Sequence, residues 1–501
     1  MIYQPAKLFN HIAKSLTQQT AFNFSWPLFV ALFSAVGVLG LSSYQTLGDP
    51  DTFLHIRIGQ WIIDHSSVPR VDVFSHSLAG ENWVAHEWLS EIILATVYRF
   101  GGWGGLVLLA TGCLSITLAY LTHYLQGKMP PIYALLFVAL TFFALSTHLL
   151  ARPHVLVWPL LVVWAGSLMN AQEESRAPSI WLIVIMILWV NLHGSFIFGL
   201  ALILPIALQA VINSTSQLRP TVIWNWSLFF GMASMSCLLN PQGIAGAVFP
   251  LQVLNLQHLG AINEWMPYQF KGINPLEILL FVYLLLALLG LLRLPFMRIV
   301  MLLGLIHMAL THNRYVSILG LVSPLLIATS FGQSYADKFK DTKQTKIDHL
   351  FLRFTNNAGS YAIFFSILII GITALWGSYL GRYAPPSSIQ AKAAIDAFQS
   401  SNHSGPVLND YKFGGALIYR NIPVFVDGRA DLYDKKVMGP YIDAVIDGKS
   451  SALEKIINQY QITWALLSPD SPAITFFDNK KTWQRYYADS DAVIYLLDPN
   501  K

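Results

Sequence analysis

Charge is scarce in this sequence. Of 501 residues, 12% are Asp, Glu, Lys or Arg, against about 25% in an ordinary soluble domain. The net charge of +4 is small for the length. No basic cluster is interleaved with aromatics, which argues against nucleic acid as a partner. Cysteine is nearly absent. Cys113 and Cys237 both fall in apolar runs, offer no disulfide framework and read as small buried side chains. There is no Walker loop and no dinucleotide-binding glycine pattern. The internal repeat that builds many transporters is not visible either.

Apolar residues fill the space that charge leaves. They make up 54% of the chain, with a mean hydropathy of +0.50. They come in blocks near twenty residues, the length that crosses ~30 Å of hydrocarbon. The sequence therefore describes a polytopic α-helical membrane protein. About eleven spans are expected, near 26–46, 103–125, 131–149, 153–170, 179–193, 196–212, 224–240, 275–292, 297–311, 314–331 and 359–380. Residues 1–25 are too polar for a cleaved signal peptide, so the first span is expected to act as an uncleaved anchor.

Lys and Arg in the short loops set the orientation. With a cytoplasmic N-terminus, twelve of them up to position 384 fall inside and seven outside, and the basic loop "DKFKDTKQTK" lies inside. An odd number of spans then puts the tail, 384–501, outside. The tail also changes character. "GPVLNDYKFGGALIY", "IPVFVDGRADLY" and "ITWALLSPD" are short β-rich runs broken by Gly, Pro and Asp, and "SSALEKIINQYQ" has helical spacing. This reads as a small soluble α/β domain following a transmembrane domain over 26–383.

The polar residues sort to the outside once that topology is drawn. His55, His86, His154, His193 and His312 fall there, with Asp49, Asp51, Glu87, Arg152, Glu264 and Arg314. Each has a plain alternative. "HLLARPH" can be a tight turn with Arg152 reaching to headgroups, "WVNLHGS" a capped helix end, "THNRYV" an interfacial anchor, and "WVAHEWLSE" the start of an amphipathic helix. Polar groups near hydrocarbon are costly, and several on one side point to one convergent site.

The first outside loop, 47–102, is the longest. "DTFLHIRIGQWIIDH" places Leu54, Ile58, Trp61 and Ile62 at helical spacing, so a helix lying along the membrane interface is expected. Asp51 and His55 are four apart and share a face. Asp49 precedes Pro50, a favoured first helical residue, and its plain reading is the helix cap. A second interfacial helix, "HEWLSEIILATVYRF", ends the loop before "GGWGG". In the tail, "VDGRADLYD" carries Asp427, Arg429 and Asp431; it reads as a turn held by an Asp–Arg pair, or as an acceptor-binding or site-covering element.

A cytoplasmic N-terminus, a long first external loop with two helices, and an acid just after the first span followed by His a turn later ("DTFLH") resemble the GT-C superfamily of polyprenyl-phosphate-dependent glycosyltransferases. Thr52 stands where the second acid of that motif often is. "PDTFLHIRIGQWIIDHSSVPRVDVFSH", "ARPHV", "LNPQG", "NEWMP" and "NDYKFGGALIYRNIPVFVDGRADLY" resemble a set of bacterial membrane proteins over most of the chain.

The resemblance implies a hexosyl- or pentosyltransferase of the bacterial cytoplasmic membrane. It would move a sugar from a polyprenyl-phosphate carrier to a glycan, lipid or protein acceptor on the far side. Asp51 is the first candidate for the general base and Asp49 the second. Arg152 and Arg314, with His55, His86, Glu87, His154, His193, Glu264 and His312, are the candidates for holding substrate. No cofactor is called for with certainty, though a divalent metal ion has room in such a mechanism. The alternatives are a transporter or flippase of a lipid-linked or anionic solute, and a non-catalytic envelope assembly protein.

Overall fold

The computed structural model describes residues 22–498 apart from 259, 261–262, 273, 342–344 and 402. Most of the expected cytoplasmic segment 1–25 lies outside these residues. An apolar helix stands over every expected span: α1 (Trp26–Gly37, continued by a π turn to Ser42), α3 (Trp88–Gln126), α4 (Pro131–Ser146), α5 (Trp158–Glu173, after the turn Pro153–Leu156), α6 (Leu182–Leu192), α7 (Phe196–Asn213), α8 (Arg219–Ser236), α10 (Pro275–Leu288), α11 (Phe296–Thr311), α12 (Val316–Lys338) and α13 (Ser360–Tyr379). Two more helices matter below: α2 (Asp51–His65), in the first loop, and α9 (Ile244–Val253), which the spacing had not suggested. Five of the helical stretches are long and apolar enough to cross a membrane, and the other apolar helices have 10–17 residues.

Proline in the first turn starts α1, α4, α5, α8 and α10, where its missing N–H breaks no intrahelical bond. The helices pack through Leu, Val, Trp and Phe into one large core, with Trp164, Trp189 and Phe331 fully buried. Other apolar side chains point outward, such as Ile363, Phe364, Ile367, Leu368 and Ile372 of α13. An outward apolar surface of that size suits lipid and not water. α3 breaks at Gly102, whose φ is 56° and ψ −151°. The first-loop helix and the span behind it therefore meet at "GGWGG", as the sequence suggested.

The tail contains a four-stranded sheet in the order β1-β2-β4-β3, with β1 Val407–Asn409, β2 Trp464–Leu467, β3 Trp483–Ala488 and β4 Val493–Leu497. β1 and β2 run parallel, with Leu408 opposite Ala465, and the crossover between them contains α15 (Ser450–Tyr460) after α14 (Gly414–Tyr419). β2–β4 and β4–β3 are antiparallel. Two expectations change here. "GGALIY", taken into a β-rich run, is the helix α14, and "VFVDG" forms no ladder, only the isolated bridge of Val424 to Ser75.

A third change concerns α2. Its apolar face was expected on the membrane, but Leu54, Ile58 and Ile62 are buried in one core with Phe74 and Trp83 of the same loop and Ile395, Val407, Leu417, Trp464 and Ile494 of the tail. Each of these three side chains gains about 2 kcal/mol from leaving water. That gain binds the first loop to the tail and not to lipid. The adjoining face of α2 crosses α3 so closely that a Cβ on Gly59 would lie within van der Waals overlap of the Glu91 carbonyl. Only glycine permits that approach.

Candidate active site

The start of α2, the turn before α5 and the segment before α10 converge on one guanidinium. Arg152 Nη1 lies 3.1 Å from Asp49 Oδ2 and 2.5 Å from Glu264 Oε1, and Nη2 lies 3.0 Å from Asp51 Oδ2. Asp49 also accepts the Asp51 backbone N–H on Oδ1 at 2.8 Å, so it caps the helix and pairs with Arg152 at once. Arg152, expected at the phosphate, thus already serves three carboxylates drawn from two other segments.

The acids in this cluster do not share the strain equally. The Arg152 guanidinium holds the Glu264 carboxyl down to about 2. Burial pushes Asp51 up to about 7; Arg152 opposes that shift, and the charges of Asp49, Glu264 and Asp427 add to it. Burial likewise raises Asp49. One cation cannot compensate three desolvated carboxylates, and the excess appears as a carboxyl that titrates near neutrality.

A second group adjoins the first. Glu87 lies 3.5 Å from His193 Nε2, 3.7 Å from His86 Nε2 and 4.0 Å from His55 Nε2. Burial pushes Glu87 up to about 7, against the pull of Arg152 and Arg314. His55 is buried beneath it with Nδ1 at 3.4 Å from Glu91 Oε1. Burial first, and then the nearby Arg152, hold that imidazole well below the usual range. His86 stacks on Phe249 of α9 at 4.2 Å. His154 donates from Nε2 to the His148 backbone carbonyl at 2.8 Å, and its ring lies 6.4 Å from that of His193. Ser195 supports His193 at 2.8 Å.

His312 and Arg314 stand at the edge. His312 Nδ1 meets the Trp265 carbonyl at 2.7 Å, and the Arg314 guanidinium lies 4.4 Å over the Trp265 ring. Trp265 follows Glu264 directly, so the two ends of this segment serve both groups. Among the described residues, Arg314 makes no ion pair, in contrast to Arg152. Among them too, no group of three or more His, Cys, Asp or Glu side chains is arranged to hold a metal ion; the three carboxylates converge on a guanidinium instead.

All eleven residues singled out from the sequence therefore lie in or beside one cluster. Glu91 was not singled out, and the tail's "VDGRADLYD" was read either as a turn held by an Asp–Arg pair or as an acceptor-binding or site-covering element. Gly428 of "VDGRADLYD" lies directly over the Asp51 carboxylate, and Tyr411 and Asp427 act on the same charge environment. The glycine between two acids was the visible signal, but nothing in the sequence tells which carboxylate it would meet.

The sequence matches no protein-family model and no curated protein. Solved structures do match. The apo oligosaccharyltransferase of Archaeoglobus fulgidus superposes with a TM-score of 0.54 at 12% identity, covering 88% of this chain and 69% of that one. ArnT from Cupriavidus metallidurans, bound to undecaprenyl phosphate, superposes with a TM-score of 0.50 at 12% identity, covering 93% of this chain and 97% of that one. The archaeal oligosaccharyltransferase AglB from Archaeoglobus fulgidus, in complex with an inhibitory peptide and a dolichol-phosphate, gives a TM-score of 0.51 at 10% identity, covering 88% of this chain and 69% of that one. The fold is the GT-C membrane fold.

Proposed function

We propose that this protein is a GT-C glycosyltransferase that moves a sugar from a polyprenyl-phosphate carrier to an acceptor at the extracytoplasmic face of a bacterial cytoplasmic membrane. The N-terminus would be cytoplasmic and the tail, from about 384, extracytoplasmic. One observation carries the reading. On a GT-C scaffold, a carboxylate that is only 15% exposed and that burial pushes up to about 7 stands among acids that outnumber their cation, with an arginine at the edge of the same cluster that makes no ion pair among the described residues. The neighbours are consistent with a lipid carrier: the ArnT structure holds undecaprenyl phosphate and the AglB complex holds dolichol-phosphate.

In this reading Asp51 takes the proton of an acceptor hydroxyl as it attacks the sugar, with Asp49 as its alternate. Charge developing on the departing lipid phosphate needs a cation. The three carboxylates on Arg152 leave that part to Arg314, whose planar fork suits phosphate. Arg152 instead orients Asp49, Asp51 and Glu264. The histidines around Glu87 supply neutral donors and acceptors for sugar hydroxyls. The deciding experiment compares purified wild type with Asp51→Asn in transfer from a set of polyprenyl-phosphate sugars to glycan, lipid and peptide acceptors. Transfer by wild type that disappears in the variant is expected. Undiminished transfer by the variant removes Asp51 as the base, and a wild type inert toward every donor removes the enzyme reading.

A further inference from the structure

The tail reaches the acids through one short stretch, 427–434. At its head, a Cβ on Gly428 would collide with Oδ1 of the Asp51 carboxylate. The other Asp51 oxygen faces Arg152 at 3.0 Å. Gly428 and Arg152 thus flank the carboxylate, which keeps 15% of its side chain exposed.

Arg429 fixes this stretch in place. It is buried, with 5% of its side chain exposed. It forms a two-pronged pair with Asp427, Nε to Oδ1 at 2.9 Å and Nη2 to Oδ2 at 2.6 Å, and reaches Asp72 of the first loop with Nη1 at 2.6 Å. Trp83 and Phe74 of the same loop flank its guanidinium at 4.8 and 5.4 Å. Tyr433 donates its hydroxyl to Asp427 Oδ2 at 2.6 Å. At the far end Asp434 accepts the backbone N–H groups of Gln257 and His258, at 3.1 and 2.9 Å, on the segment that leads to Glu264. The stretch therefore touches the start of α2, the first loop and the segment that bears the third acid.

Adhesion alone does not account for this. The shared apolar core already joins loop and tail, and a buried ion-pair cluster is poor glue because its desolvation offsets much of its attraction. Its planar, charge-assisted bonds do fix direction.

We propose that Arg429 is a positioning residue for Asp51. It clamps 427–434 to the first loop so that the Gly428 backbone and Arg152 together hold the Asp51 carboxylate in one orientation. The inference rests on the reading of Asp51 as the base.

The test uses the full-length protein in lipid nanodiscs with Gly428→Ala, Arg429→Met and Arg429→Lys. A misplacement of this order costs roughly 10- to 100-fold in turnover. Gly428→Ala is expected to lose that much kcat with donor KM unchanged, and Arg429→Lys to recover part of what Arg429→Met loses. Hydrogen exchange of amides 51–56 should quicken in Gly428→Ala and Arg429→Met while the helices of the bundle keep their protection. Wild-type kcat in Arg429→Met overturns the proposal, as does a loss no greater than the loss of folded protein. Should wild type transfer no sugar from any donor, the glycosyltransferase reading fails by itself. The clamp is then judged on exchange alone, where unchanged protection of 51–56 overturns it.

Discussion

Arg152 and Glu173 stand at the two ends of one helical stretch, Pro153–Glu173, which is long and apolar enough to cross a membrane. Each is the centre of a buried polar cluster, and the two clusters are built in opposite sense. At the Glu173 end one carboxylate receives two cations, Arg298 Nη2 at 2.5 Å and Lys128 Nζ at 2.7 Å, with the Thr329 hydroxyl at 2.7 Å. Arg298 turns its remaining donors to the Leu326 carbonyl and Gln172. At the Arg152 end three carboxylates share one cation. The first arrangement satisfies its acid and ties α5 to α11 and α12. The second leaves an acid with a raised affinity for protons, as sites that move protons require. Burial and ion pairing alone do not distinguish a lock from a site; the sign of the surplus does.

The largest expected effect is at the Arg152 end. Asp51→Asn should lower transfer about 10²–10⁴-fold, the usual contribution of a positioned base, without loss of folded protein. The pH dependence adds a sharper form of the same prediction. Burial raises Asp51 from 3.8 to about 7, so the folded state holds its proton more tightly than the unfolded chain does. The stability from this group is complete below about 4 and is lost as pH rises through about 7. A base works only when ionised, so transfer should climb over the range where stability declines. Thermal melts of wild type and Asp51→Asn between pH 5 and 8.5 test it: the variant should show a shallower decline, keeping only the share that Glu87, also raised to about 7, contributes. Equal slopes would remove Asp51 as its source.

At the other end the expectation reverses. Glu173→Ala strands the buried Arg298 and the half-buried Lys128 and should cost about 3–5 kcal/mol, read as a lower unfolding midpoint in detergent. The turnover per folded molecule should stay near wild type. A variant that melts normally but cannot turn over would erase the contrast between the two ends. Arg314→Gln should raise donor KM about 10- to 100-fold, the effect of a lost charge-assisted bond of ~1.5–3 kcal/mol, with a smaller change in kcat; an unchanged KM would return the phosphate role to Arg152. The smallest effect expected is Gly59→Ala, whose methyl would push α2 off the Glu91 carbonyl at a cost of about 1–3 kcal/mol. Because α2 carries Asp51 and His55, part of that cost should also appear as lost transfer.

Much of the fold was legible because hydrocarbon imposes a length. Every apolar block became a helix, and "GGWGG" marked a real break. α9 escaped because "GIAGAVFPLQV" is short and contains Pro250. The residues of the candidate site were legible too, because a polar group beside a span stands out against lipid. Their partners were not. Arg152 looked available when only its loop was read, since the acids that occupy it come from 49–51 and 264. The face of α2 was read toward lipid because amphipathic spacing reports that a face is buried, not what buries it. The covering partner begins more than three hundred residues later, in a tail whose "GGALIY" also looked like a strand until packing against α2 made it a helix.

The bond between Arg429 and Asp72 joins residues 357 positions apart in the chain. Synthesis at about 5–20 residues per second separates their emergence by roughly 20–70 s. Through that interval the first loop has Asp72 without its cation and Leu54, Ile58 and Ile62 without their cover. It must wait half-folded on the membrane surface until the last part of the chain has been delivered. Biogenesis of this protein is therefore exposed at its beginning and secured only at its end, and an interrupted chain would display that uncovered apolar face to the machinery that clears unfinished proteins.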